Sequence, residues 1–257
     1  MSPHDQIISQ QSGATIVLLS PGDLIHKSGR RVFPREEQAM KLVKKYTNVP
    51  VPNPIAAEYR DGHGQIYMTR VPGITLENCW HTLDDQAKEQ LCNQLWEMIE
   101  QIRQIPKPQH LLGNFLCYTD GSVCTDVLIQ NRDDPPSLFV DNDSVRQRIC
   151  QCYYRFFGRK YTSDELYAML PDSDQSVFTH ADLAPRNIMV DASTFAITGL
   201  LDWECAGWYP DYWEYANIWR GSRDDTYDWQ KWMDATNPQK WRKDDLRGIK
   251  AARRVLI

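Results

Sequence analysis

An α+β fold, a small β-rich piece leading a larger helical one with a cleft between them, is what this sequence predicts. Three observations carry it. The first thirty residues read as β, and two further strand-like runs flank a turn signal before residue 70. Val71-Pro72-Gly73 then interrupts the chain, and beyond it apolar residues recur mostly at helical spacing. The 257 residues suffice for one large domain or two modest lobes.

The elements follow in order. Residues 14–19 (ATIVLL) are apolar and β-branched, Ser20-Pro21-Gly22-Asp23 is a turn, and 24–27 make a short return strand. Pro34 precedes a helix over 35–46, with Met40, Val43 and Tyr46 on one face. Pro50, Pro52 and Pro54 forbid its continuation. Strands at 55–59 and 65–70 flank the turn signal Asp61-Gly62-His63-Gly64. Past the break, Thr82-x-x-Asp85 reads as a capping box for a helix carrying Leu91, Leu95, Met98, Ile102 and Ile105. Residues 111–140 hold a hairpin signal at Asp120-Gly121 and a loop at 131–136; 145–157 is a helix. Short strands and a polar loop alternate over 177–202, and from Tyr209 onward the chain reads as aromatic-rich and helical, with a solvated helix of mixed charge over 242–254.

Composition narrows the function. Lys+Arg 29 against Asp+Glu 34 gives net charge −5, which argues against a nucleic acid as partner. No run approaches the roughly 18 apolar residues of a membrane span, and the start MSPHDQIISQQSG lacks a basic-then-apolar leader, so a cytoplasmic protein with no membrane partner is expected. The seven cysteines form no C-x-x-C pair, and Cys150-Gln-Cys152 has the wrong spacing for zinc; they read as reduced, packed thiols. Nothing in the sequence sets the oligomeric state.

The chemistry concentrates in His180-Ala181-Asp182, Arg186-Asn187 and Asp202, the last closing an apolar strand fifteen residues after Asn187. Phosphoryl transfer from ATP needs a carboxylate beside the acceptor hydroxyl to orient it and take its proton, which suits Asp182. It also needs hard oxygen ligands for Mg²⁺, which suit Asn187 and Asp202. His180 reads as a residue that braces this loop.

HADLAPRNIMV (180–190) followed by GLLDWECAGWYPDYWEYA (199–216) resembles the phosphotransferase family typified by aminoglycoside phosphotransferases, and its large fungal branch in particular. The resemblance covers about residues 24–219. It implies a bilobal protein-kinase-like fold, with a nucleotide-binding N-lobe over 1–72 and a catalytic and acceptor-binding C-lobe over 73–257. It also implies ATP and Mg²⁺ as cofactors. Family members carry a strand lysine for the α/β-phosphates about nine residues before a helix glutamate, which matches Lys27 and Glu36. Thr47-Asn48-Val49-Pro50-Val51-Pro52 resembles the family's T-x-I-P-V-P turn. Residues 66–73 resemble its hinge, so Met68, Arg70 and Val71 would contact adenine. Ala184 stands where protein kinases place a phosphate-binding lysine, and Arg186 is the substitute cation. Ala181 stands where glycine is usual.

The expected activity is an ATP- and Mg²⁺-dependent small-molecule kinase acting on a hydroxyl. An amine-bearing acceptor is favoured because Glu204, Asp211 and Glu214 intersperse seven aromatics over 203–219, a mixture suited to charge and cation–π contact; core packing is the competing reading of those aromatics. The alternative function is a kinase-like binding or scaffold protein with weak or no catalysis. It is motivated by the 26 residues before Lys27, which lack G-x-G-x-x-G and offer only Ser12-Gly13 and Pro21-Gly22 to cover phosphates.

Overall fold

A computed structural model describes residues 5–11, 13–130, 138–220 and 227–256. Ser12 and the loop expected at 131–136 lie outside the described residues. The fold is α+β: a β-rich sheet leads, and helices dominate after it.

The chain opens with β1 (Gln6–Gln11), β2 (Ala14–Leu19) and β3 (Leu24–Gly29), antiparallel neighbours. Helix α1 (Pro34–Tyr46) starts at a proline whose missing N–H would be unpaired there anyway, carries Glu36 and Glu37 in its first turn, and ends on Lys44 and Lys45, matching the helix dipole. It buries Glu36, Ala39, Met40 and Val43, but Tyr46, expected on that face, is exposed in the last turn with Lys45 over its ring. Strands β4 (Pro54–Arg60) and β5 (His63–Thr69) form the expected hairpin, with Asp61 and Gly62 at positive φ. Arg70 falls just outside it.

Two residues of β6 (Ile74–Thr75) and the short α2 (Leu76–Cys79) precede α3 (Asp85–Arg103). The cap of α3 is Asp84, which accepts from the Ala87 N–H at 2.8 Å, and not Thr82. Thr82 closes a preceding 3₁₀ turn and donates to the Cys79 carbonyl instead. Leu91, Leu95, Ile102 and Ile105 are buried as spaced. Next come β7 (Cys117–Tyr118), with its turn at Asp120-Gly121 closed by the Gly121 N–H on the Tyr118 carbonyl, then α4 (Asn142–Arg155) and α5 (Ser163–Met169). Asp141 and Ser144 form a capping box that starts α4 three residues before the expected start; Thr162 and Glu165 form another for α5, which the apolar spacing did not reveal.

Strands β8 (Ser176–Thr179), β9 (Ile188–Val190), β10 (Ile197–Leu200) and β11 (Gly207–Pro210) follow, then α6 (Trp213–Ile218), α7 (Tyr227–Ala235) and α8 (Arg247–Leu256). Tyr209 was expected to open a helix. It lies in β11, paired with Val177. Residues 242–254 are not simply solvated either: Ile249 and Ala252 are buried, and the Arg253 guanidinium is buried against the Ala216 carbonyl and Asn217.

The chain forms two compact units. The first joins Met1–Ile105 to Asp182–Ala206 and the second joins Pro106–Ala181 to Gly207–Ile257. The first contains the five-stranded sheet β1-β2-β3-β5-β4 and the three-stranded sheet β10-β9-β6. The second contains β7-β11-β8, with an aromatic core that includes Phe178 edge-on to Trp208 and Tyr212 edge-on to Trp241. Among the described residues no helix is long and apolar enough to cross a membrane.

Candidate functional site

Lys27 sits mid-strand in β3, opposite Ile16 on β2 and Ile66 on β5, so its aliphatic stem is flanked by apolar neighbours and its side chain is buried. Its Nζ lies 2.7 Å from Glu36 Oε1 and 2.7 Å from Asp202 Oδ1. A buried ammonium is expensive unless paired, and here two carboxylates receive it. Burial by itself lowers the Lys27 pKa, but the charges of Glu36 and Asp202 outweigh that and hold it well above the usual lysine value. Glu36 is pushed up to about 7 by burial, with Asp202 and Glu204 adding repulsion against the pull of Lys27. Its Oε2 is buried without a hydrogen-bond partner.

Asp202 follows β10 in a left-handed conformation, φ 62° and ψ 64°. Asn187 immediately precedes β9. Because β9 and β10 run antiparallel with Leu200 opposite Ile188, Asn187 and Asp202 come to the same end of one hairpin, tied by the Leu201 N–H on the Asn187 carbonyl at 2.8 Å. The Asn187 side-chain amide donates to Asp182, 2.8 Å to the backbone O and 3.1 Å to Oδ2. Arg186 Nη2 lies 2.6 Å from that same Oδ2. The structure therefore brings the site residues into two groups in the first unit: Lys27 with Glu36 and Asp202, and Asp182 with Arg186 and Asn187.

Of the expected hinge residues, Met68 is buried in β5, opposite Ile25. The Arg70 amide donates to the Asp23 carbonyl at 2.9 Å, so its N–H is already engaged within the sheet region. Nothing among the described residues accepts from the Val71 N–H.

Three residues here were not legible as parts of this group. Glu204, expected in an acceptor pocket, stands beside Asp202: its Oε2 is 4.0 Å from Lys27 Nζ, its Oε1 is 3.0 Å from Arg31 Nη2, and its carbonyl accepts from Arg35 Nε at 2.9 Å. Ligand oxygens of Glu36, Asp202 and Glu204 lie within 4.8 Å of one another. Such hard, anionic donors, with the Asn187 amide at the same hairpin end, suit a divalent cation of the Mg²⁺ type. Burial and the neighbouring Asp202 raise the Glu204 pKa.

In the second unit, Asp211 and Glu214 do not form an amine-binding surface. Both are buried. Asp211 pairs with Lys240 at 3.2 Å, and Glu214 accepts from the backbone N–H groups of His180 (2.7 Å) and Ala181 (3.2 Å). Trp208, Tyr209, Tyr212, Trp213 and Tyr215 are buried core, so the packing reading of the aromatics holds there.

A sequence profile described as a phosphotransferase enzyme family matches residues 20–242. An aminoglycoside 3'-phosphotransferase of Streptomyces fradiae is 23% identical over 158 residues, 60% of this chain and 52% of that relative, so the match spans about half the relative's length. Among solved structures, the ADP-bound aminoglycoside phosphotransferase APH(2'')-Ib aligns with TM-score 0.60 at 13% identity, covering 98% of this chain and 80% of that one. A type I macrolide 2'-phosphotransferase aligns with TM-score 0.58 at 12% identity, covering 98% and 82%. At these identities the structural likeness carries the kinase-like fold.

Proposed function

The chain belongs to the phosphotransferase enzyme family, and from that premise we propose that it transfers the γ-phosphoryl group of ATP to a hydroxyl of a small molecule. The observation that carries the reading is Lys27, buried and 2.7 Å from both Glu36 and Asp202. In it, Lys27 binds the α/β-phosphates and Glu36 holds Lys27 in place. Asp202 and Asn187, with Glu204 nearby, would hold Mg²⁺, which when bound offsets charge on the transferring phosphates. Met68 and the backbone of Val71 border adenine.

Asp182 orients the acceptor. The hydroxyl oxygen bonds to the γ-phosphorus as the bond from that phosphorus to the β–γ bridging oxygen breaks; ADP leaves with that electron pair, and the hydroxyl proton passes to the Asp182 carboxylate. Arg186, now on Asp182, supplies a cation for the transferred group. The acceptor class rests on the relatives, which are named for aminoglycosides and macrolides, because Asp211 and Glu214 are spent inside the second unit. The seven cysteines, all thiols and none in a disulfide, suit the cytoplasm, where ATP is also available.

The test is ATP turnover against a panel of aminoglycosides, macrolides and amino alcohols. Wild type should phosphorylate at least one, and Asp182→Ala should lower kcat by about 10²-fold or more. A wild type indistinguishable from Asp182→Ala on every acceptor, while still binding ATP, would favour the binding-protein reading.

A further inference from the structure

The sequence supplies no glycine-rich loop over the phosphates, yet one cation reaches that region from the N-terminal sheet. Arg31 lies two residues past β3. Its backbone N–H donates to the Gly13 carbonyl at 2.9 Å, at the turn joining β1 to β2. Its aliphatic stem lies across Gly13: a Cβ there would sit 2.6 Å from Arg31 Cγ and Cδ, and Gly13 has φ +103°. Only glycine admits this contact. The stem therefore sets the side from which the guanidinium approaches, and its Nη2 ends 3.0 Å from Glu204 Oε1 with the side chain 61% exposed.

Glu204 is thereby approached by two cations, Arg31 on one carboxylate oxygen and Lys27 at 4.0 Å on the other. Two cations converging on paired anionic oxygens is the arrangement a polyphosphate needs. Arg31 also has the planar fork that matches phosphate oxygens two at a time. The Arg31 side of this pair is exposed, which leaves its guanidinium room to swing from Glu204 to a phosphate.

We propose that Arg31 is a nucleotide-binding residue that clamps the terminal phosphates of ATP, doing from the end of β3 what a glycine-rich loop does with backbone amides. This rests on the reading that the nucleotide binds at Lys27. Leaving Glu204, Arg31 also frees that carboxylate to face the cation site beside Asp202.

The experiment is isothermal titration of wild type, Arg31→Met, Arg31→Lys and Lys27→Met with ATP, ADP and AMP, with and without Mg²⁺. Arg31→Met keeps the stem over Gly13 and removes only the charge. It should weaken ATP by about tenfold or more, ADP less, and AMP within about twofold of wild type; Arg31→Lys should fall between, as a point charge without the fork. ATP binding unchanged in Arg31→Met, or weakened equally for ATP and AMP, overturns the proposal while leaving the Lys27 site standing. Failure of wild type to bind ATP, or ATP binding indifferent to Lys27→Met, removes both.

Discussion

Two non-glycine residues beside the site adopt left-handed backbone conformations, Ala181 at φ 66° and Asp202 at φ 62°. Such a residue costs about 1–2 kcal/mol, because its Cβ crowds the following carbonyl. For Asp202 the cost accompanies a carboxylate brought to Lys27; for Ala181 it accompanies nothing but a methyl group. The loop holds Ala181 there by its ends: its N–H donates to Glu214 and its carbonyl accepts from the Asn217 side chain at 2.7 Å. At this positive φ glycine would carry no Cβ penalty. Ala181→Gly should therefore stabilise the protein by about 0.5–1 kcal/mol, the relief of strain less the added freedom of the unfolded chain. Urea midpoints at constant m-value measure it, and a variant less stable than wild type would mean the buried methyl outweighs the strain. The same scale separates what could be read from what could not. Asp182, Asn187 and Asp202 sit in one short segment whose residue types suggest their roles, while the family resemblance names Lys27 and Glu36, nine residues apart. Arg31 and Glu204 are 173 positions apart, and no local pattern joins them.

At the scale of elements, the β9–β10 hairpin is held at its far end by one side chain. Asp191 Oδ1 accepts from the Ser193 hydroxyl (2.5 Å) and N–H (2.9 Å), and from the Thr194 N–H (2.9 Å) and hydroxyl (3.1 Å). These bonds favour the charged form and lower the Asp191 pKa from 3.8 to about 2. A folded value below the unfolded one means the contribution is whole above the unfolded value and is lost as pH falls through 3.8 toward 2. Asp191→Ala should lower the urea midpoint at pH 6, and the gap to wild type should narrow steadily below pH 5; a gap independent of pH would reject the assignment. Elements were legible where one signal acted alone, as in the β-branched β2 or the proline-started α1. They were misread where a neighbour competed. Thr82 reads as the cap of α3, but Asp84, directly before the first turn, accepts from the Ala87 N–H and takes that place. Tyr209 lies among aromatics that suit helix or strand, and pairing with β8 decided it.

At the scale of the molecule, the first unit is discontinuous in sequence: residues 1–105 need 182–206, which arrives after a long excursion. The contacts that join them are specific. Ile74 and Thr75 pair with Val190 and Met189, the Leu200 N–H donates to the Pro50 carbonyl, the Ile197 N–H donates to Gln94 Oε1, and Asp202 pairs with the buried Lys27. Gly73, at φ +109°, lies so close to β9 that a Cβ would meet the Val190 carbonyl oxygen at 2.2 Å. The division into an N-lobe over 1–72 and a C-lobe over 73–257 is a proposal, and residues on either side of that boundary share one packed unit with 182–206. A fragment of residues 1–105 would leave Lys27 with Glu36 alone and expose the faces that β9 and β10 cover. It should therefore lack a cooperative thermal transition. Joining 182–206 to it through a flexible linker should restore one, since closing a longer loop costs only about 0.6 kcal/mol per doubling of length. Circular dichroism melts of the two fragments decide the matter: a cooperative melt of 1–105 alone would show that the sheet β1-β2-β3-β5-β4 with α1 is self-sufficient. Residues 182–206 would then be a guest of that sheet and not part of its fold.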